Sequence, residues 1–147
     1  MKTRLLIFFM LSLIVLSGCM FSTYKPIIYD DYSAKQQMFD LTFGWNQSIS
    51  GNKFVIDGYA RNNRYYIVNN LELQVSLVDK DGRQKTRETF FFIPADLRLD
   101  DSTRFNVSLN AHPQSGDLLN FYYRYNAYEG DAEAFTWVNN FKVNVLE

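Results

Sequence analysis

Few residues in this 147-residue chain have the type and spacing that chemistry needs. Cys19 is the only cysteine and His112 the only histidine. Neither a Cys/His zinc set nor a disulfide can then form within one chain, and a nucleophile–histidine pair would have to use His112. His112 precedes Pro113 in a predicted turn, and no G-x-S-x-G elbow supplies a serine to partner it. It reads as a solvated loop residue. Asp79-Lys80-Asp81-Gly82 invites a calcium reading, yet an EF-hand loop places glycine at position 6 and a bidentate Glu at position 12. Here Gly82 falls at position 4 and Phe90 at position 12. A hairpin turn is the better reading, with aspartate accepting backbone hydrogen bonds and Gly82 at positive φ. The acids Asp100-Asp101 and Glu129/Asp131 fall at predicted turns, where solvation is their ordinary role. Paired-carboxylate hydrolysis would need a cleft that a small sandwich hardly offers. The expectation is a non-enzyme with no catalytic residue, metal or cofactor.

Cys19 carries the strongest signal. Lys2 and Arg4 precede a run from Leu5 to Leu16 in which Ser12 is the only non-apolar residue, and Leu16-Ser17-Gly18-Cys19 follows. A cationic start and about a dozen apolar residues make a secretory signal, too short for the roughly 20 residues that span a bilayer. The last four residues are similar to the lipobox of bacterial lipoproteins. Small Ser17 and Gly18 suit a narrow peptidase cleft. The Cys19 thiol takes a diacylglyceryl group, and after cleavage its amino group takes a further acyl chain such as palmitate. One chain binds a membrane marginally, whereas two or three, at about 0.8 kcal/mol per buried CH₂, anchor it durably. Residues 1–18 are thus expected to be a lipoprotein signal peptide and Cys19 the lipidation site. The expected location is the extracytoplasmic side of a membrane. Met20, where an inner-membrane protein would have Asp, resembles an outer-membrane sorting signal facing the periplasm if the cell is Gram-negative. The formal net charge is −1, and it grows more negative once Lys2 and Arg4 leave with the leader, so no nucleic-acid partner is expected.

Lipidation takes the only thiol, so the domain must hold through its core alone. Residues 20–37 show neither helical nor strand periodicity, and 19–37 read as lipid anchor and tether. At about 3.3 Å per residue the tether would reach roughly 60 Å, although Phe21, Tyr24, Tyr29 and Tyr32 predict that part of it lies against the domain. From residue 38 the period becomes two. Phe39, Leu41, Phe43 and Trp45 alternate with polar residues, and Phe54, Ile56, Gly58 and Ala60 oppose Val55, Asp57, Tyr59 and Arg61. Leu71, Leu73, Val75 and Leu77 form the cleanest strand. Further strands are expected at 83–93, 105–109, 118–128 and 135–145, separated by turn signals. Seven alternating strands over 38–147 predict an all-β, antiparallel, immunoglobulin-like sandwich, with a closed barrel as the alternative. Arg83 to Glu88 put charge on both pleat faces, as suits an edge strand.

The remaining candidates are aromatic. Phe39, Phe43, Trp45, Phe105, Phe121 and Trp137 read as core. Tyr59, Tyr122 and Tyr128 fall on the opposite parity, where a binding role competes with tyrosines lying flat on a sheet. In an immunoglobulin-like sandwich the loops Asn63–Asn70 and Glu129–Glu133 meet at one end. Arg64, Tyr65 and Tyr66 there combine aromatic area with a cation, a mixture favoured at protein interfaces. They are the candidate partner-binding residues, with the membrane or the tether's own tyrosines as competing neighbours.

Phe54 to about Glu129 resembles the FxLYD-type β-sandwich domains of bacterial secreted proteins and lipoproteins. The matching segments are Ile56-Asp57-Gly58-Tyr59-Ala60-Arg61-Asn62, Leu71 to Leu77, Asp79-Lys80-Asp81-Gly82, and later Leu99 with Phe105-Asn106-Val107. Of the defining pentapeptide Leu77 and Asp79 match, while Val75 and Val78 replace Phe and Tyr. The resemblance implies an accessory module with no catalytic residue to transfer. The expected function is an envelope lipoprotein whose sandwich binds or assembles with an envelope protein. A small-ligand or glycan-binding lipoprotein is the alternative.

Overall fold

The computed structural model describes residues 26–93, 96–130 and 135–145. The signal peptide, Cys19, and Asp131 to Glu133 of the expected contact loops lie outside them. Eight strands form two four-stranded antiparallel sheets. The strands are β1 (Ala34–Gln37), β2 (Leu41–Ser50), β3 (Lys53–Asn62), β4 (Ile67–Val78), β5 (Gln84–Phe91), β6 (Ser102–Leu109), β7 (Leu118–Tyr128) and β8 (Phe135–Asn144). The order is β1-β2-β3-β6 in sheet A and β5-β4-β7-β8 in sheet B.

The expected count of seven is corrected to eight. The added strand, β1, lies in the expected tether and pairs Ala34 with Trp45 through Gln37 with Thr42. Its sequence, Ala-Lys-Gln-Gln, has no apolar alternation. Pairing at a sheet edge uses backbone groups, which composition does not report.

Alternation supplies the rest. Leu41, Phe43, Trp45, Phe54, Ile56, Phe105, Val107 and Leu109 from sheet A are buried against Leu71, Leu73, Val75, Leu77, Leu119, Phe121, Tyr123 and Phe141 from sheet B. The aromatic rings knit the layers together: Trp45 lies 4.9 Å from Phe121, and Phe121 stacks on Phe141 at 4.8 Å. Phe43 lies 5.0 Å from Tyr123. Truncating one such ring typically costs about 3–5 kcal/mol.

Two expected positions are reversed. Phe39, expected in the core, is 65 % exposed. It sits in the turn between β1 and β2, so counting by twos back from Leu41 crosses the end of the strand and fails. Tyr59, expected on an open face, is 1 % exposed. It does point away from the core, and Tyr29 and Tyr32 cover it with ring centroids 4.9 Å away. Burial pushes the Tyr59 hydroxyl up from its ordinary range.

Segment 26–33 is thereby fastened to the outer face of sheet A. Tyr29 bonds Ser102 at 2.8 Å, Arg104 donates to the Pro26 carbonyl at 2.8 Å, and Asn46 bonds both the Asp31 carbonyl and the Ser33 N–H. Gly44 makes room for this arrangement, since a Cβ there would run into the Tyr59 ring. Seven residue steps separate Cys19 from Pro26. They span about 25 Å at most, far less than the reach expected of a free tether.

Candidate functional site

The loop expected at Asn63–Asn70 is shorter, because β4 already begins at Ile67 and runs through a bulge between Asn69 and Glu72. Asn70 takes the left-handed conformation there, with φ of 52°. The loop that remains, residues 63–66, is locked from beneath. Buried Asn62 donates its amide to the carbonyls of Tyr66 and Leu97 and accepts from the Arg64 N–H at 2.8 Å. Asn63 donates its backbone N–H to the Asp40 carbonyl and its side-chain amide to the Met38 carbonyl, and accepts from Thr42. Each donor or acceptor left unmade inside the protein would cost about 1–3 kcal/mol, so these bonds fix the β3–β4 loop against the β1–β2 turn.

Of the three candidate residues, Tyr65 is left free among the described residues and the other two are engaged. Tyr65 is 87 % exposed. Arg64 donates from Nε to the Phe39 carbonyl at 2.8 Å and lays its guanidinium over the Phe39 ring. Tyr66 stacks on Tyr125 with a ring separation of 6.2 Å and meets the edge of Phe135. Phe39 in turn stacks on Trp137, which also contacts Phe135. Arg64, Phe39, Trp137, Phe135 and Tyr66 are therefore joined in one chain of contacts, and exposed Tyr65 lies between Arg64 and Tyr66 in the same loop. Phe39 and Phe135 were missed by the periodicity. The only hint for Phe135 was its position after the predicted turn at Glu129–Asp131, and Phe39 reads as core from the sequence. Tyr29 and Tyr32 of the expected tether pack on Tyr59 rather than on this surface.

Asp40 supports the surface from within. Its carboxylate is wholly buried and accepts from the Tyr123 hydroxyl at 2.7 Å and the Tyr125 hydroxyl at 2.9 Å. The Tyr66 hydroxyl lies 2.9 Å from that of Tyr125. Burial, and then the adjacent carboxylate, hold Tyr123 protonated far above the ordinary tyrosine range. Burial, followed by the Tyr66 hydrogen bond and the Asp40 charge, does the same for Tyr125. With both hydroxyls donating to one carboxylate, the network ties the β1–β2 turn to β7. Its chemistry is structural, because no solvent reaches the acid.

The other sequence candidates lie elsewhere. His112 is exposed in the loop after β6. Asp79 accepts from the N–H groups of Asp81 and Arg83, and Gly82 has φ of 84°, so Asp79–Gly82 is the expected hairpin turn. Among the described residues no three His, Cys, Asp or Glu side chains are grouped to hold a metal ion. The sheet B face carries a groove of about 540 Å³ at the β4 bulge, where Glu72 pairs with Arg124 at 2.6 Å beside half-open Phe91. No protein-family model matches the chain, and no curated protein matches it.

Proposed function

We propose that this chain is a lipid-anchored envelope protein whose single sandwich is a non-catalytic module that binds or assembles with a protein partner. The observation that carries this reading is the aromatic surface around Arg64. Tyr65 and Phe39 stand exposed on a support that is hydrogen-bonded through Asn62, Asn63 and Asp40. Rigid aromatics beside an arginine are what interface hot spots are made of, and a pre-fixed loop loses little entropy on docking. Lipid on Cys19 would hold the module within about 25 Å of the membrane, facing the periplasm if the cell is Gram-negative.

The strand order supports an immunoglobulin-like topology: β2-β3-β6 opposes β5-β4-β7-β8, and β1 is an addition to it. It also accords with the likeness to FxLYD-type domains. Val75 and Leu77 point into the core at the pentapeptide's apolar positions, and Asp79 organises the turn that follows.

The test is a photoreactive phenylalanine analogue at position 65 in native membranes. A discrete adduct with one envelope protein is expected, and adducts with lipid alone, or none, would refute the partner reading. Separately, Cys19→Ser should leave an uncleaved precursor, and normal processing of that variant would refute the anchor.

A second reading, a small-ligand or glycan site, is favoured by the groove at the β4 bulge. Asn70, Glu72, Arg124, Asn126 and Thr136 present polar groups there around Phe91. Saccharide titration should shift the backbone amide resonances of Glu72, Arg124 and Thr136 if this reading holds.

A further inference from the structure

The four sheet edges are not equally defended. β5 carries Lys85, Arg87 and Glu88, β1 is four residues long, and β6 is flanked by Phe90 and Phe92, which pack on its Phe105. Charge, shortness and cover are the usual protections of a strand edge. Among the described residues β8 is the least protected of the four, with Phe39 packed on Trp137 and a single lysine. It runs ten residues in unbroken register with β7, without proline, glycine or bulge, and Lys142 is its only charge.

Its open groups can be identified. The Asn140 N–H is capped by the side chain of the adjacent Asn139 at 2.8 Å, whereas the Val145 N–H donates across to Asp117. In an antiparallel strand the N–H and C=O of one residue point the same way and alternate along the chain. Odd-numbered residues of β8 therefore bond β7. Thr136, Val138, Asn140, Lys142 and Asn144 present their backbone groups to the open side, and among the described residues no strand pairs with them.

We propose that β8 pairs with β8 of a second copy of this chain, antiparallel about a two-fold axis at Asn140, joining the two B sheets into one of eight strands. That register uses all five outward residues of each strand. Thr136 meets Asn144, Val138 meets Lys142, and Asn140 meets itself, so the lysines never oppose each other. The Asn140 N–H exchanges its bond to the Asn139 side-chain oxygen for one to the Asn140 carbonyl of the second copy.

The second observation is where the N-terminal segment leaves the domain. A two-fold axis perpendicular to the sheets keeps both outer faces of sheet A on the same side. Pro26 lies on that face, held by Arg104. Both copies would thus direct the short segment toward Cys19 to one side, as two anchors in one membrane require. This step rests on the lipid-anchor reading, and a shared membrane also raises the effective concentration for edge pairing.

The test uses the full chain in native membranes, where lipidation blocks Cys19. Asn140→Cys should form a disulfide-linked dimer under mild oxidation, because directly opposed hydrogen-bonded residues lie about 5.5 Å apart between Cα atoms. Gln84→Cys, at the start of the opposite edge strand, should not. Adding Val138→Lys places lysine against Lys142 of the second copy and should weaken the crosslink roughly five-fold. A photoprobe at Val138 gives an independent readout should Asn140→Cys fail to fold; its adduct should map to the peptide containing Lys142. Equal crosslinking at 84 and 140, or none at 140 and no Val138 adduct in membrane-bound protein, would overturn the pairing. Loss of the protein from the membrane fraction would overturn the anchor instead, and crosslinking of the released protein would still decide the pairing.

Discussion

Replacing Asp40 by alanine removes the one acceptor shared by two buried tyrosine hydroxyls. Tyr123 donates to one carboxylate oxygen and Tyr125 to the other, at 2.7 and 2.9 Å. A buried hydroxyl without a partner costs about 1–3 kcal/mol. Tyr125 keeps the Tyr66 hydroxyl at 2.9 Å and Tyr123 keeps the Asn139 side chain as substitute partners, so each share stays below the full penalty. Removing the carboxylate also removes the cost of burying a charge, which offsets part of the loss. The expected net destabilisation is about 2–4 kcal/mol. For a domain of this size 1 kcal/mol moves Tm by roughly 4–6 °C, so Tm should fall by about 10–20 °C. The sharper expectation is relative. Asp40→Ala combined with Tyr123→Phe and Tyr125→Phe takes away donors and acceptor together, and removing both partners is far less costly than removing one. The triple variant should therefore be more stable than Asp40→Ala alone. Thermal and urea denaturation followed by circular dichroism measure both. A shift under 3 °C for the single variant, or a triple variant that simply adds further losses, would refute the network as a stabilising device.

Alkali should destabilise the protein beyond what surface tyrosines would cause. Unfolded tyrosines ionise near pH 10, while Tyr123 and Tyr125 stay protonated far above it. The native state then binds more protons, and stability, full below pH 10, falls above it by about 2.7 kcal/mol per pH unit for the pair. Urea midpoints at pH 9, 10 and 11 read the slope, which Tyr123→Phe/Tyr125→Phe should flatten. At the acid end, burial of Asp117 opposes its charge, but the Lys85 ammonium at 2.7 Å and the Gln114 N–H outweigh this and lower its pKa below 3.8. Its contribution is present above pH 3.8 and lost as pH falls through the lower native value. Lys85→Met should cost about 1–3 kcal/mol near neutrality and raise the midpoint of acid unfolding; an unchanged acid midpoint would count against the assignment. Gly44→Ala should expel Tyr59 and release segment 26–33, read as new protease cleavage between Pro26 and Ser33 with the sandwich intact. Unchanged protection would mean that Tyr59 yields at little cost.

Alternation alone determined much of this protein. Leu71, Leu73, Val75 and Leu77 had to face one way and the charges of Arg83 to Glu88 had to lie at an edge, because side chains on a strand change face at every residue. Asp79–Gly82 had to turn, because a carboxylate that accepts backbone bonds and a glycine at positive φ leave the chain little else to do. The two-layer all-β architecture follows from such strands needing to bury one face. Arg64 and Tyr65 were legible as surface candidates, because a short loop of large polar-tipped side chains between apolar runs cannot be core. What covers a face is a different question, and periodicity carries no information about it. Tyr59 points outward as its parity requires, and it is buried because residues distant in sequence, Tyr29 and Tyr32, lie over it. Phe39 is outside because β2 begins only at Leu41, and Asp40 is inside because Tyr123 and Tyr125, more than 80 residues away, satisfy its charge. Strand β1 exists because β2 offers it an edge. For Tyr59 and Asp40 the deciding partners come from distant parts of the chain, and for β1 and Phe39 the decision lies in backbone pairing, which side-chain periodicity does not report.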